Sequence, residues 1–302
     1  MRILAGITVY NADREKLLEN VSAIIGQVDG LLLVDNGSEH VNETEEWLNH
    51  KLNEKQSNQC FDQTAKLEEF FSSKILWEKN HQNLGVAKAL NQMFEYAEEK
   101  GYDWVLTLDQ DSVCPQNMIT EYKKYIDLPA LGILTPLLLD RNYDRVAESQ
   151  GEYEELKDCI TSGSLSPLSA WKKCGGFTEE LFIDYVDYDF NAKIREAGFK
   201  IYRINSVRIL HEIGRGENHR FFSKKITVLN HLPSRHYYII RNWNYYMAVH
   251  KDILDLKYEK KKYLFHFIKT MLYEDKKIEK WKEMMRGRKD AKELIASRLG
   301  KE

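Results

Sequence analysis

Short apolar segments alternate with helix-like patterns over the first two thirds of the chain. In residues 14–26, apolar side chains recur at intervals of three and four, the spacing of one helical face. The runs between such patterns are too short for helices and end in turn residues, so they are predicted to be strands. Further helices are predicted over 85–100 and 116–126. The predicted strands are 3–10, 31–34, 75–78, 104–108 and 131–139.

This order of elements predicts an α/β fold, a mostly parallel sheet with helices on both faces. The polar stretch 41–73 predicts one or two surface helices with a mobile loop near 53–58. A short helix near 167–173, a helix over 186–197 and an extended stretch 200–210 follow. Beyond Pro233 the chain becomes helical, aromatic and basic.

The composition is that of a globular protein, but its charge is unevenly distributed. Of the 302 residues, 43% are hydrophobic and 30% charged, and the net charge of −3 argues against a nucleic-acid binder. Residues 251–302 hold 16 Lys and Arg against 10 Asp and Glu, whereas residues 1–250 hold 28 against 37. An acidic body with a basic tail fits a metal-using site joined to a segment that meets an anionic surface.

The cysteines and the chain start predict a cytoplasmic protein. Cys60, Cys114, Cys159 and Cys174 are far apart and lack the spacing of a zinc site, so free thiols in a reducing compartment are expected. The first ten residues lack the longer apolar region of a signal peptide. No apolar stretch approaches the roughly 20 residues that span a bilayer.

Two carboxylates, Asp109 and Asp111, follow the apolar strand predicted at 104–108. The carboxyl ends of strands in a parallel sheet open onto the ligand crevice, and alternation along an extended segment would aim both side chains the same way. Hard oxygen ligands there suit Mg²⁺ or Mn²⁺ carrying a phosphorylated substrate. A polar strand end that merely caps the next helix is the alternative interpretation.

A second acidic group, Asp184, Asp187 and Asp189, lies around the start of the helix predicted at 186–197. Acidic residues at a helix start are favoured by the helix dipole, which offers a purely structural explanation. Three crowded carboxylates disfavour one another's ionised form, however, so one of them is expected to have the raised pKa of a working base. Asp187 is the preferred candidate.

Other polar residues stand where the predicted elements end. His211 closes the extended stretch 200–210, and its imidazole would suit a further ligand for the metal held by Asp111. Asp35 ends the second strand and would accept a hydrogen bond from a nucleotide base, although Asp-Asn-Gly-Ser is also a plain turn. Asn83 is predicted to cap the next helix, whose first turn carries Lys88, in a position suited to a diphosphate.

The ordered set of motifs resembles family-2 glycosyltransferases, which have the GT-A fold and invert configuration at the anomeric carbon. The resemblance covers roughly residues 1–215. Within the family, Leu-Asp-Gln-Asp-Ser, Phe-Ile-Asp-x-x-Asp and Tyr237-Tyr-Ile-Ile-Arg-Asn242 are similar to bacterial rhamnosyltransferases that use dTDP-L-rhamnose. The motifs are Val9-Tyr10-Asn11, Asp35-Asn-Gly-Ser38, Asn83-Leu-Gly85, Asp109-Gln-Asp111, Ser162-Gly-Ser164, Gly175-Gly-Phe177, Asp184-x-x-Asp187-x-Asp189 and His211.

The resemblance implies a role for each matching residue. The catalytic carboxylate would be Asp187, Asp111 and His211 would bind Mg²⁺ or Mn²⁺, and Asp109 would bond the ribose or the metal. Val186 and Lys193 depart from the family pattern, which more often has Glu and Arg there. The remaining implied contacts are Thr8, Tyr10 and Asp35 to the base, Asn83 and Lys88 to the nucleotide sugar, and Ser162, Gly163 and Asp184 to the acceptor or sugar.

Several functions remain open at this point. The resemblance implies an inverting, metal-dependent enzyme that moves a sugar, foremost L-rhamnose, to a saccharide or lipid-linked acceptor in bacterial surface polysaccharide synthesis. A UDP-sugar donor, with galactofuranosyl, glucosyl or N-acetylhexosaminyl transfer, is the alternative. A sugar nucleotidyltransferase would open with a Gly-rich phosphate loop, which the residues after Tyr10 lack. A non-catalytic binding module would not need Asp109, Asp111, Asp187 and His211 together.

The domain organisation follows from the change in pattern near residue 215. Residues 1–215 are expected to form the catalytic domain, with the nucleotide-binding part over 1–112 and the acceptor part over 113–215. Residues 216–302 are expected to form a helical, basic extension. Its segment 260–273 joins a lysine cluster to aliphatic and aromatic residues, which fits either packing in a homodimer or a helix lying on the inner face of the cell membrane.

Overall fold

An eight-stranded mixed sheet forms the centre of the molecule, with the strand order β3-β2-β1-β4-β7-β5-β8-β6. This computed structural model describes residues 1–57, 74–140, 151–211, 216–221 and 224–300. The predicted α/β architecture is confirmed, because helices cover both faces of the sheet. Cys60 lies outside the described residues, while Cys114, Cys159 and Cys174 are free thiols.

The first four strands are parallel and form the amino-terminal half of the sheet. Apolar residues dominate them because both of their faces are covered. In register, Val9 faces Asp35 of the neighbouring strand, and Thr8 faces Asp109, so three strand ends meet at one edge. The elements are β1 Ile3–Val9, α1 Arg14–Ile24, β2 Gly30–Asp35, α2 Val41–Ser57, β3 Ile75–Lys79, α3 Val86–Glu99 and β4 Trp104–Asp109.

The second half of the sheet is mixed. Strand β7 runs antiparallel to both β4 and β5, while β5 and β8 are parallel and β6 is an antiparallel edge strand. The elements are α4 Met118–Tyr122 with a 3₁₀ turn Lys123–Tyr125, β5 Leu131–Asp140, β6 Tyr153–Leu156, β7 Ser164–Pro167, α5 Leu168–Cys174, a 3₁₀ turn Glu179–Leu181, α6 Val186–Glu196 and β8 Lys200–His211.

Alternating side chains of the strands build two cores, one on each face of the sheet. Ile3, Ala5 and Ile7 of β1 pack with α1 and α2 on one face, whereas Leu4 packs with α3 and α6 on the other. This is the alternation expected of an extended chain buried on both sides. The sheet edge carrying Asp35 and Asp109 is thereby held between two packed layers.

Some predicted element boundaries were wrong. The loop expected near 53–58 is absent as far as the chain is described there, because α2 continues to Ser57. The helix predicted over 116–126 is one short α-helix followed by a 3₁₀ turn. Asn83 does not cap α3. The N-cap is Gly85, whose φ of 88° is the left-handed backbone that glycine adopts without strain.

The C-terminal region is mainly helical and packs against the sheet domain. It opens with a hairpin of β9 Glu217–Phe221 and β10 Lys224–Val228, followed by α7 Pro233–Val249, α8 Leu256–Tyr273 and α9 Lys277–Leu299. Helices α7 and α9 approach closely at Gly287, where a Cβ would lie 2.4 Å from the Tyr237 carbonyl oxygen. Among the described helices, none combines the length and apolarity needed to cross a bilayer.

Candidate active site

The carboxylates of the Asp109-Gln-Asp111 motif stand where β4 leaves the sheet. The Asp109 N–H donates to Ser162 Oγ at 3.0 Å, and the Asp109 carbonyl accepts from Asn20 Nδ2 at 2.7 Å. Ser162 Oγ also shares a hydrogen bond of 2.7 Å with Ser112 Oγ. These bonds hold the turn at the end of β4 from the protein interior, while the side chains of Asp109 and Asp111 remain half-exposed.

Ser162 and Gly163 support this turn from within the protein. Ser162 is fully buried, and its hydroxyl is engaged by the Asp109 N–H and by Ser112. Gly163 has φ 81°, and a Cβ there would lie 2.7 Å from Pro136 Cγ. A side chain at this position would therefore be both strained and crowded.

Asp187 lies in the first turn of α6 and lines a cleft of about 480 Å³. Asp109 and Asp184 line the same cleft. Burial raises the pKa of Asp187 to about 6, and the negative charges of Asp184 and Asp109 act in the same direction. The structure thus brings together acidic residues from two distant motifs and gives one of them a pKa suited to accepting a proton near neutrality.

The loop that leads into Asp187 has an unusual backbone. Phe182, Asp184 and Tyr185 have φ values of 66°, 62° and 63°. Residues other than glycine adopt this backbone region at a cost of about 1–3 kcal/mol each. Asn242 on α7 compensates by donating from Nδ2 to the carbonyls of Leu181, Ile183 and Asp184 at 2.8–2.9 Å. The loop is therefore held in place by a residue some sixty positions later in the chain.

The two carboxylates beside Asp187 have other partners. Asp184 is paired with Arg235 of α7, with 3.1 Å between Oδ1 and the guanidinium. Asp189 is fully buried and accepts from Thr178 Oγ1 at 2.7 Å, while its Oδ1 lies 2.9 Å from His250 Nε2. Asp189 therefore belongs to a buried polar network that joins α6 to α7.

Lys193 has a structural position. It is buried, and Nζ donates to the carbonyls of Gly175 and Gly176 and to Thr178 Oγ1 at 3.3 Å. Burial lowers its pKa. Lys193 stands where the resemblance implies an arginine, and its hydrogen bonds connect the Gly175-Gly176 turn to α6.

A second pocket, of about 290 Å³, opens beside Asp35. Asp35 is fully buried, and its Oδ2 accepts from the N–H groups of Gly37 and Ser38 at 3.0 and 2.9 Å. Its Oδ1 is buried and has no hydrogen-bond partner among the residues that the structure describes. A buried carboxylate oxygen left unpaired is costly, so this atom is suited to a donor group of a ligand.

The other predicted nucleotide contacts are less closely grouped. Thr8 is half-buried beside Asp109, and Tyr10 is exposed with its N–H donating to Gln110 Oε1 at 2.8 Å. Asn83 Oδ1 accepts from Asn36 Nδ2 and from the Gly85 N–H, so Asn83 ties two loops together. Lys88 pairs with Glu179 at 3.2 Å and with Glu95 at 3.7 Å. Neither Asn83 nor Lys88 lines the Asp187 cleft.

The donors for a metal ion are incomplete in the part of the chain that is described. There, no three His, Cys, Asp or Glu side chains converge as a metal site would require. The backbone of His211 ends β8 opposite Asp140, but its side chain lies outside the described residues. Asp109 and Asp111 at the end of β4 are the hard oxygen donors that Mg²⁺ and Mn²⁺ prefer.

One wall of the cleft was missed by the sequence analysis, because it comes from the C-terminal region. Burial and the neighbouring charge of Arg235 together lower the pKa of His231 in this wall to about 4, so the imidazole is neutral at neutral pH. The only sequence signal was the Tyr237–Asn242 motif. The residues of this wall are Leu229, His231, Arg235, Ile239, Trp243, His266, Lys269 and Glu274.

The chain has a sequence relative in Shigella flexneri. The chain is 28% identical over 210 residues to the dTDP-rhamnosyl transferase RfbF of Shigella flexneri, an alignment that covers 63% of this chain and 68% of the relative.

Two solved structures share the fold at low sequence identity. TarS 1–349 of S. aureus in complex with UDP-GlcNAc has a TM-score of 0.56 at 15% identity, covering 99% of this chain and 83% of that one. GalNAc-T7 with UDP, GalNAc and Mn²⁺ has a TM-score of 0.54 at 13% identity, covering 90% and 56%. Residues 5–161 match Glycosyl transferase family 2, and with the sheet and the acidic cleft in place the chain belongs to this family of glycosyltransferases.

Proposed function

We propose that this glycosyltransferase moves L-rhamnose from dTDP-L-rhamnose to a saccharide or lipid-linked saccharide, in the synthesis of a bacterial surface polysaccharide. The observation that carries the proposal is Asp187, a carboxylate with a raised pKa in the cleft that Asp109 also lines. Similarity to the dTDP-rhamnosyl transferase of Shigella flexneri supports the choice of donor.

Asp187 acts as the general base in this proposal. An acceptor hydroxyl has a pKa far above 7, so proton removal by a placed carboxylate speeds its attack by about 10²–10⁴-fold. Asp187 and Tyr188 also line a neighbouring cavity of about 300 Å³, which gives the acceptor a second approach to the same carboxylate. Direct attack by the hydroxyl in a single displacement inverts the anomeric centre, and no covalent enzyme intermediate forms.

The pocket at Asp35 is proposed to hold the thymine base. The Asp35 Oδ1 would accept the N3–H of thymine, which would satisfy a buried oxygen that has no hydrogen-bond partner in the part of the chain that is described. Thr8 and Tyr10 come from the same sheet edge and would complete the contact. Uracil carries the same N3–H, so this pocket fits dTDP and UDP donors alike.

Asp109, Asp111 and His211 are proposed to hold Mg²⁺ or Mn²⁺. When bound, the cation would neutralise charge that develops on the departing diphosphate. Asp109 fits this role because it ends β4 and lines the cleft, and Asp111 follows two residues later in the chain. A fold neighbour that contains Mn²⁺ supports the choice of a divalent ion.

We place the domain boundary near residue 215, with nucleotide and acceptor parts meeting near residue 112. The cleft takes its acidic floor from the first domain and His231 and Arg235 from the extension. The extension is thus proposed to complete the active site. Because one fold neighbour binds UDP-GlcNAc, a UDP-sugar donor with the same mechanism is the second candidate.

A panel of nucleotide sugars tests the donor. We expect slow hydrolysis of dTDP-L-rhamnose by the full chain with Mn²⁺ or Mg²⁺, and little hydrolysis of UDP-galactofuranose, UDP-glucose and UDP-N-acetylglucosamine. Turnover of a UDP-sugar alone would select the second candidate. Equal turnover after removal of divalent ions with EDTA would contradict the proposed roles of Asp111 and His211.

A further inference from the structure

Helix α8 (Leu256–Tyr273) has two contrasting sides. Its inner side carries buried Glu259 and Thr270 and contributes His266 and Lys269 to the wall of the cleft. Its outer side is exposed and apolar over two to three turns. The residues at the outer side, spaced as one helical face, are Lys257, Lys261, Leu264, Phe265, Ile268 and Leu272, and we call them the α8 stripe.

The α8 stripe exposes several large apolar side chains close together, whereas single exposed apolar residues are common on protein surfaces. Leu264 and Leu272 are 58% and 53% exposed. At the turn into α9, Ile278 is 72% exposed and the indole of Trp281 is also open to solvent. A soluble domain rarely leaves aliphatic and aromatic side chains grouped in this way unless something covers them.

Cations flank the apolar residues at both ends. Lys257, Lys260 and Lys261 lie in the first turns of α8, and Lys276, Lys277 and Lys282 surround the start of α9. An acidic neighbour, Asp275, is already paired with Lys280 at 3.2 Å. Exposed Glu279 and Asp255, the N-cap of α8, reduce the positive charge of the six lysines without cancelling it. The surface is therefore apolar in its middle and net positive at its edges, which is complementary to an anionic lipid headgroup layer above acyl chains.

We infer that the α8 stripe, with Ile278 and Trp281, docks on an anionic lipid bilayer. A second copy of the chain fits less well, because a two-fold contact between identical surfaces would bring lysines against lysines. Tryptophan at the edge of the apolar area suits the interface between headgroups and acyl chains.

This inference names the class of acceptor, and it therefore rests on the proposed function. The same helix that would lie on the membrane forms a wall of the cleft, so the cleft opens within about one helix diameter, roughly 10–12 Å, of the headgroups. A saccharide attached to a membrane lipid through a phosphate would then reach Asp187 without leaving the bilayer.

Co-sedimentation of the full chain with vesicles tests the inference. We expect binding to vesicles of phosphatidylcholine mixed with phosphatidylglycerol, weaker binding to phosphatidylcholine alone, and a loss of affinity as salt is raised. The double variant L264S/L272S should bind at least tenfold more weakly, and so should K257E/K261E. The matched control is L299S, which removes another leucine of about half exposure near the far end of α9.

Donor hydrolysis by the same variants separates this inference from the proposed function. The stripe residues do not line the cleft, so hydrolysis by L264S/L272S should equal that of the wild type. If no nucleotide sugar is hydrolysed while vesicle binding is intact, the proposed function is wrong and the inference of a lipid-binding surface still holds. Equal vesicle binding by wild type and L264S/L272S would overturn the inference. So would a wild-type dimer that binds no vesicles and becomes a monomer in this variant.

Discussion

Three aspartates within six residues show how surroundings set the chemistry of one functional group. Asp184 faces a guanidinium, Asp189 is enclosed by hydrogen-bond donors, and Asp187 is desolvated with negative charges nearby. Burial raises the pKa of the Asp187 carboxyl group into the range where it takes up a proton during catalysis. The assignment of Asp187 as the base therefore depends on its neighbours more than on its place in a motif.

Asp187→Asn is predicted to abolish transfer while leaving donor binding intact. The amide fills the same space but accepts no proton, so donor turnover should fall by about 10²–10⁴-fold. Calorimetric titration with dTDP should give a dissociation constant close to that of the wild type. Turnover at the wild-type rate would remove Asp187 as the base.

The pH dependence of kcat/KM should show an acidic limb near 6. Because the pKa of Asp187 is raised to about 6, the carboxyl is protonated and inactive below that pH and becomes a working base above it. Activity should therefore fall as the pH drops through 6, about two pH units above the range of an ordinary aspartate. A limb near 4 would show that the titrating base is a solvated carboxylate elsewhere.

Asp35→Asn is predicted to weaken and broaden recognition of the base. The asparagine oxygen can still accept from Gly37 and Ser38, but the unpaired carboxylate oxygen is replaced by an amide group. Wild-type protein should bind dTDP roughly tenfold or more tightly than its N3-methylated form, and the variant should lose this preference. Equal affinity of the wild type for the two nucleotides would place the base elsewhere.

At the scale of elements, α7 governs the geometry of the catalytic loop. Asn242 donates to three carbonyl groups of the strained segment, and Arg241 donates to the Leu181 carbonyl at 3.1 Å. Trp243 packs against Tyr185 with 5.3 Å between ring centroids. The N-terminal end of α6, which carries Asp187, is thereby held by a helix outside the family-matched segment 5–161.

Asn242→Ala is predicted to lower kcat for donor hydrolysis by tenfold or more with little change in donor affinity. Freed from its three hydrogen bonds, the loop relaxes, and a displacement of about 1 Å at the base is enough for such a loss. Asn244→Ala is the matched control, because Asn244 lies on the same helix and bonds Ile240 and Tyr263 instead. Equal losses of kcat in the two variants would show that the effect comes from general destabilisation of α7.

The parts of the fold that sequence could predict are those governed by local pattern. Strands β1 to β5 and helices α1, α3 and α6 follow from apolar spacing, because each is buried on a defined face. Strand β7 has the short polar sequence Ser-Leu-Ser-Pro, and its antiparallel insertion between β4 and β5 depends on long-range pairing. The N-cap of α3 is Gly85, where Asn83 was predicted, because the Asn83 side chain bonds Asn36 and the Gly85 N–H and so connects two loops.

The same distinction between local pattern and long-range contact applies to the candidate site. Asp35, Asp109 and Asp187 could be picked out because each stands at the end or start of a recognisable element. The pairing of Asp184 with Arg235, and the buried position of Ser162, depend on contacts between segments more than fifty residues apart. Such contacts leave no periodic signal in a single sequence, and so the wall formed by the C-terminal region was missed.

At the scale of the whole molecule, one cleft unites three parts of the chain. The parallel half of the sheet contributes Asp109, α6 contributes Asp187, and the C-terminal helices contribute a wall with Arg235 and a neutral His231. The extension thus has two roles in this account, completing the site on its inner side and meeting lipid on its outer side. Both roles require the full chain, so truncation after residue 215 would remove the wall of the cleft together with the α8 stripe.

The most direct test of the central claim is NMR detection of the sugar first released from dTDP-L-rhamnose by the full chain with Mn²⁺. With Asp187 activating the attacking water in a single displacement, rhamnose should appear first in the anomeric configuration opposite to that of the donor. Initial release with retained configuration, or no release from this or any other nucleotide sugar under conditions in which dTDP binds, would contradict the account.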